Sequence, residues 1–159
     1  MSEINAREVI MLAIEFEESV ARLYRVYKDK FKGVPLTEFL WDTLSIEEEA
    51  HASFLRAQLG MMEKVPGAFG SENVSLSEMK AIMDDLKYKI EFAENNDVQL
   101  KDALCAALKI ETSMVEKEYG RLIEVTSPSL SKIFSDLTMK DDHADKIRAA
   151  LKALGVECR

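Results

Sequence analysis

Apolar residues recur at three- and four-residue steps over long stretches of this chain, which is the pattern of amphipathic helices. The spacing predicts four long helices, over about 6–32, 37–59, 98–125 and 128–154. Gly155 ends the last of them. Each of the first three apolar stripes is interrupted near its centre by a glutamate, and the second also carries a histidine: Glu17, Glu48 with His51, and Glu111. Packing alone does not explain why carboxylates and an imidazole lie inside apolar stripes.

The connections between the predicted helices divide the chain into two helical hairpins. Gly33 and Pro35 stop the first helix, and Thr37 is a plausible N-cap of the second. An irregular connection follows at 60–75, and the capping box Ser75-Leu76-Ser77-Glu78 opens a shorter helix over about 76–93. Ser127-Pro128 would open the fourth long helix. The prediction is a single all-α domain spanning 1–159, a ferritin-like four-helix bundle whose long crossover contains a short helix.

Composition narrows the function classes. The chain has 159 residues, of which 47% are hydrophobic and 31% charged, as expected of one soluble globular domain. A net charge of −8 argues against nucleic acid as a partner, because phosphate binding needs basic patches. No apolar run approaches the roughly 18 residues of a membrane span, and the N-terminus carries no secretory signal pattern. We therefore expect a cytoplasmic protein with neither a nucleic-acid nor a membrane partner.

The two cysteines exclude one class of metal site. Cys105 and Cys158 form no CxxC pair, so a rubredoxin-type or zinc-ribbon module is absent from this sequence. In a reducing compartment, two separate thiols are expected rather than a disulfide.

The candidate chemistry centres on Glu48 and His51, which stand three residues apart and so share one face of a helix. The chain contains only two histidines. The second, His143, falls at the corresponding place in the second hairpin, where Lys140 stands three residues before it instead of a glutamate. A di-iron carboxylate centre takes a Glu from one helix and a Glu-x-x-His pair from the next, twice over. Glu18 is an alternative to Glu17 if the phase of the helix differs, and Glu47 and Glu49 are expected to be the solvated flank of Glu48.

With these motifs in place, the chain resembles the rubrerythrin-like branch of the ferritin-like superfamily. The resemblance rests on four short segments: Ala13 to Glu17 with Tyr24 seven residues on, Glu48-x-x-His51, Ala107 to Glu111, and His143-Ala144. It implies metal ligation by Glu17, Glu48, His51, Glu111 and His143, with Glu48 bridging two ions and Tyr24 nearby. It also implies iron as the cofactor and either peroxide reduction or ferrous iron oxidation as the activity.

Three features depart from that family pattern. Lys140 replaces the second bridging carboxylate, Met114 stands where an extra carboxylate would be, and the sequence carries no rubredoxin-type cysteine pairs. A standard rubrerythrin peroxidase is therefore not expected.

Charge counting argues against a fully loaded dinuclear site. Three glutamates and a protonated Lys140 balance one divalent ion, whereas two ions leave a surplus of positive charge in a buried site. This favours a mononuclear, weak or empty site over a dinuclear one. The expected cofactor is one or two iron ions, and the alternatives are manganese, zinc or no metal. The expected partners are a small-molecule oxidant or a metal ion and a second copy of the chain in a homodimer. The alternative is a metal-free bundle with a structural or partner-binding role, in which Lys140 pairs with Glu48 and Glu111 and the histidines are buried and hydrogen-bonded.

Overall fold

A computed structural model describes residues 2–65, 69–70, 76–113, 124–125 and 142–159. These residues form five helices and one pair of two-residue strands. The elements, in chain order, are α1 (Ser2–Lys30), α2 (Pro35–Lys64), β1 (Phe69–Gly70), α3 (Leu76–Asn95), α4 (Leu100–Glu111), β2 (Glu124–Val125) and α5 (His143–Leu154). The predicted all-α class is confirmed.

The turn between α1 and α2 is built by glycine and proline. Gly33 has a φ of +82°, a conformation that side-chain-bearing residues rarely adopt. Pro35 occupies the first helical position of α2, where its fixed φ suits the helix and its missing N–H costs nothing. Val34 is therefore the N-cap, and the prediction that Thr37 caps this helix is wrong. Thr37 lies in the first turn, and its buried hydroxyl has no hydrogen-bond partner in the part of the chain that the structure describes.

The long helix α2 continues past its predicted end near residue 59 and stops at Lys64. Gly60 costs only about 1 kcal/mol relative to alanine inside a helix, and the residues that follow it are good helix formers. Helix α3 begins where the capping-box pattern predicted and contacts α1.

The third predicted helix is shorter than expected. Helix α4 ends at Glu111, and Glu124–Val125 form a strand that pairs antiparallel with Phe69–Gly70. At this end the Thr112 hydroxyl donates to the Leu108 carbonyl at 2.7 Å. The Ser113 N–H bonds to the Ile110 carbonyl, three residues back, at 3.0 Å, so the four-residue backbone pattern of the α-helix stops there. The prediction of one helix through residue 125 is therefore wrong at 112–113 and at 124–125. Helix α5 matches the end of the fourth predicted helix and stops at Gly155, with φ +66°. The prediction of a continuous helix is wrong at Asp142, which is the non-helical N-cap of α5. The predicted start at Ser127-Pro128 lies outside the described residues.

The core combines aliphatic side chains with an aromatic cluster around Trp41. The Trp41 ring lies 4.9 Å from that of Tyr27, 5.8 Å from that of Tyr24 and 6.4 Å from that of Phe31, measured between centroids. Offset aromatic contacts in this range add to the stabilisation from buried area. The cluster fixes α1 against α2 on the side toward the turn and leaves the middle of both helices to the polar residues. None of the described helices is long and apolar enough to cross a membrane.

A disulfide joins Cys105 on α4 to Cys158 in the tail after α5, with a Cα–Cα distance of 5.5 Å. The expectation of two separate thiols is therefore wrong. The two cysteines are 53 residues apart in sequence. Among the described elements, the packing of α5 on α4 brings them together, and no local sequence pattern predicts that contact.

Candidate metal centre

All five predicted ligands converge between the middle of the α1–α2 hairpin and the facing ends of α4 and α5. Glu17 and Glu48 lie in mid-helix, Glu111 is the last residue of α4, and His143 is the first residue of α5. The side chains of the three glutamates are fully buried, His143 is nearly so, and His51 is 15% exposed.

The structure also decides between Glu17 and Glu18. Glu17 points into the cluster, whereas Glu18 is exposed and pairs with Arg56 on α2. One residue step along a helix rotates the side chain by about 100°, so only one of two adjacent glutamates can face the core. The helical phase read from the apolar stripe is confirmed.

Glu48 lies at the centre of the cluster, with one carboxylate oxygen toward each imidazole. Its Oε1 is 2.7 Å from Nδ1 of His143, without hydrogen-bond geometry, and its Oε2 is 3.3 Å from Nδ1 of His51. The two imidazole rings stack with their centroids 5.4 Å apart. Two ligand groups result, Glu17–Glu48–His51 and Glu48–Glu111–His143, and within each group the candidate ligand atoms lie within 4.8 Å of one another. Both groups contain Glu48, as a bridging carboxylate would.

Glu111 is held from two sides. Its Oε2 lies 3.3 Å from Nδ1 of His143, and its Oε1 accepts a short hydrogen bond from the Tyr24 hydroxyl. The tyrosine seven residues after Glu17 therefore does lie beside the cluster, as the resemblance implied. Two neighbours fix the orientation of the Glu111 carboxylate.

Glu17 is held far less. Its Oε2 is 3.7 Å from Nδ1 of His51, and among the described residues neither of its buried carboxylate oxygens has a hydrogen-bond partner. Leaving a buried polar atom unpaired costs roughly 1–3 kcal/mol. The Glu17 carboxylate is therefore less well supplied with hydrogen bonds than the Glu111 carboxylate.

Glu47 contacts the cluster from the opposite side, which sequence reasoning missed. It was expected to be solvated, like Glu49, but its Oε2 lies 2.6 Å from Nε2 of His143. The ammonium of Lys146, one turn along α5, is 3.0 Å from the other Glu47 oxygen. The expectation is wrong for Glu47 and correct for Glu49, which is exposed and pairs with Arg25. The sequence did contain one relevant signal. His143 and Lys146 are three residues apart and therefore share one face of a helix, where a single acidic side chain can contact both.

Burial and pairing set the protonation of the cluster. Burial alone would lower the pKa of His51 and of His143, but their contacts with carboxylates outweigh it and raise these pKa values to about 10 and about 11. Burial raises the pKa of Glu17 well above its usual range and that of Glu111 to about 7. Burial would also raise the pKa of Glu48, but its contacts with Glu17 and the two imidazoles hold that pKa well below its usual range. In the metal-free protein, protons bound to these side chains therefore supply the positive charge that balances the buried carboxylates.

The residues present fit a divalent metal ion. They offer two imidazole nitrogens and three carboxylates, a hard oxygen and nitrogen donor set suited to iron or manganese. The unpaired oxygens of Glu17 and Glu48 are buried acceptors that a cation would satisfy. Lys140 and Met114, the departures from the family pattern, lie outside the described residues, so the charge argument built on Lys140 continues to rest on the sequence.

Comparison with known proteins gives one finding. The family model described as rubrerythrin matches residues 8–151, a segment that contains all five candidate ligands. No curated protein and no solved structure matches the chain significantly.

Proposed function

Because the chain belongs to the rubrerythrin family, we propose that it is a metal-dependent oxidoreductase that acts on peroxide or ferrous iron at the Glu48 cluster. One observation carries the proposal: Glu48 directs one carboxylate oxygen to each of two stacked imidazoles. A buried carboxylate shared in this way suits two neighbouring ions, one on each side. The ferritin-like bundle supports the same reading, because such bundles build their metal sites from facing helices.

We further propose that the two positions are unequal and that the one formed by Glu48, Glu111 and His143 is filled first. Partners outside the ligand set orient two of its three side chains, Glu111 through Tyr24 and His143 through Glu47. Contacts of this kind orient ligands and tune the metal. The position formed by Glu17, Glu48 and His51 has no such support among the described residues. Charge counting bears on the number of ions and not on their order, since with a protonated Lys140 a first divalent ion is balanced and a second is not.

Bound iron would supply one-electron redox chemistry and a Lewis-acid position for a peroxide oxygen. The balanced reaction consumes two ferrous ions, one hydrogen peroxide and two protons, and yields two ferric ions and two waters. The residues of the chain would bind the ions. In the metal-free cluster the raised pKa values of Glu17 and Glu111 favour a proton on each carboxyl group, and metal binding would release these protons. The Tyr24 hydroxyl keeps Glu111 in place through its hydrogen bond.

Metal analysis tests the binding step. Protein grown with iron and, separately, with manganese is expected to hold about one ion per chain and to approach two only in excess metal. Glu48→Gln should lose the metal, because both ligand groups contain Glu48. Glu49→Gln, which changes the neighbouring exposed residue, should keep it. No metal under either growth condition would contradict the proposal and favour the metal-free structural bundle.

A second variant tests the charge argument. Lys140→Glu supplies the missing fourth carboxylate and is expected to raise the metal content toward two ions per chain. An unchanged metal content would mean that Lys140 does not limit the second position.

The reaction itself is tested by mixing the protein with ferrous iron and hydrogen peroxide and recording the ferric product. The wild type is expected to consume peroxide faster than the Glu48→Gln variant, with two ferrous ions oxidised per peroxide. Metal binding without peroxide consumption or ferrous oxidation would contradict the oxidoreductase proposal and leave the metal site standing.

We also propose a homodimer, because ferritin-like bundles often pair side by side. The chain mass is 18.0 kDa, so sedimentation equilibrium of a dimer would give twice that mass. A single species of 18.0 kDa at all protein concentrations would contradict this.

A further inference from the structure

A cavity of about 250 Å³ lies between α1, α3 and α4 and is lined by none of the five candidate metal ligands. Its wall is largely apolar: Phe16, Leu86 and Ile110 are buried and face it, together with the half-buried Ile82. A cavity of about 150 Å³ with apolar walls can hold a benzene ring. This cavity therefore has room for a six-membered ring or a short aliphatic chain together with one polar group.

The charged residues of the lining carry a positive surplus. They are Lys89, Lys109 and Asp85, which sum to one positive charge. Lys89 forms an ion pair with Asp85, which lies one turn before it on α3. Lys109 on α4 has no acidic partner within the described part of the chain. One ammonium beside the cavity is therefore available to an anion.

We propose that this cavity binds a small monocarboxylate with an aromatic or short aliphatic body. The carboxylate pairs with the Lys109 ammonium, and the apolar body contacts Phe16 and Leu86. An inorganic anion would leave the apolar wall uncovered, and an uncharged apolar molecule would leave Lys109 without an acceptor. The proposal does not depend on metal binding, because no candidate metal ligand lines the cavity.

Amide NMR spectra of the full-length protein test the proposal with three probes: benzoate, inorganic phosphate and benzyl alcohol. Benzoate is expected to give saturable shifts at Phe16, Ile110 and Ser113. Phosphate and benzyl alcohol should bind at least about fivefold more weakly, since each lacks one half of the recognition. The titration is run both on the protein as purified and after treatment with a chelator, because a carboxylate could also bind a metal ion. Shifts that vanish with the metal would overturn the proposal.

Three variants locate the site. Lys109→Ala is expected to weaken benzoate binding about fivefold, the upper range for an exposed ion pair. Ala81→Trp, at an exposed lining position, should block the cavity without disturbing the core. Lys101→Ala is the matched control, because it removes an exposed lysine of the same helix outside the lining. The proposal fails if benzoate gives no saturable shifts, if phosphate binds as well as benzoate, or if Lys101→Ala and Lys109→Ala weaken binding equally.

Discussion

Glu47 contacts His143 on the side of the imidazole that faces away from the other ligands. Its Oε2 lies 2.6 Å from Nε2, whereas Nδ1 of the same ring faces Glu48 and Glu111. A carboxylate on the far nitrogen fixes the tautomer and the orientation of a ligating histidine, and its loss typically costs 10- to 100-fold in metal affinity. We expect Glu47→Gln to weaken the tighter metal position by about tenfold, measured by titrating metal-free protein with Mn²⁺ or Co²⁺.

Glu49→Gln is the control for that variant. It removes a neighbouring carboxylate that is exposed and pairs only with Arg25, so its affinity should equal that of the wild type. Equal affinity of the Glu47→Gln variant and the wild type would show that Glu47 is not a positioning residue.

The stability of the metal-free protein should fall as pH rises. The folded-state pKa values of His51 and His143 lie at about 10 and about 11, above the ordinary 6.5, so their stabilisation is complete below pH 6.5 and is lost as pH rises through 10 to 11. Glu111, raised from 4.5 to about 7, contributes fully below pH 4.5 and loses its contribution as pH rises through 7. The Tm of metal-free protein is therefore expected to decrease between pH 5.5 and pH 8.

Added metal should reverse that trend, because metal ligands must be deprotonated and binding releases their protons. The increase in Tm on adding Mn²⁺ is expected to be larger at pH 8 than at pH 5.5, as differential scanning calorimetry would show. The Glu48→Gln variant should show no such increase at either pH. An increase of the same size at both pH values would contradict the protonation states described for the cluster.

The hydrogen bond from Tyr24 to Glu111 should make a measurable contribution to the free energy of unfolding. It is buried and joins a hydroxyl to a carboxyl group, and hydrogen bonds to charged groups contribute about 1.5–3 kcal/mol. Tyr24→Phe is expected to lower the free energy of unfolding by about 2 kcal/mol, measured by urea denaturation at pH 8. The same change at Tyr88, which is 65% exposed, should alter it by less than about 0.5 kcal/mol.

Reduction of the Cys105–Cys158 disulfide should destabilise the protein. The bond closes a segment of 53 residues, and the chain-entropy relation for a loop of that length gives about 4 kcal/mol. We expect a reductant to lower the Tm of the wild type and to leave that of the Cys105→Ser/Cys158→Ser double variant unchanged. A reductant effect of equal size in both proteins would mean that it acts elsewhere.

The helical pattern was sufficient to predict all five candidate ligands, because each lies in an apolar stripe or, for His143, at the corresponding place in the second hairpin. Glu47 was not predicted because its partner, His143, is 96 residues away and reaches it through the packing of α5 on α2. The end of α4 at Glu111 was not predicted for a different reason. The apolar spacing continues past it, and the change to a three-residue backbone bond at Ser113 does not alter that spacing.

The disulfide has a consequence for the integrity of the site after proteolysis. Glu111 and His143 stand on opposite sides of residues 114–141 along the chain, and Cys105 and Cys158 lie outside that segment on either side. A protease that cut anywhere within 114–141 would yield two fragments still joined by the Cys105–Cys158 bond. All five candidate ligands would remain in one covalent molecule, migrating as a single band on a non-reducing gel. Only a reductant would then separate His143 from the other four.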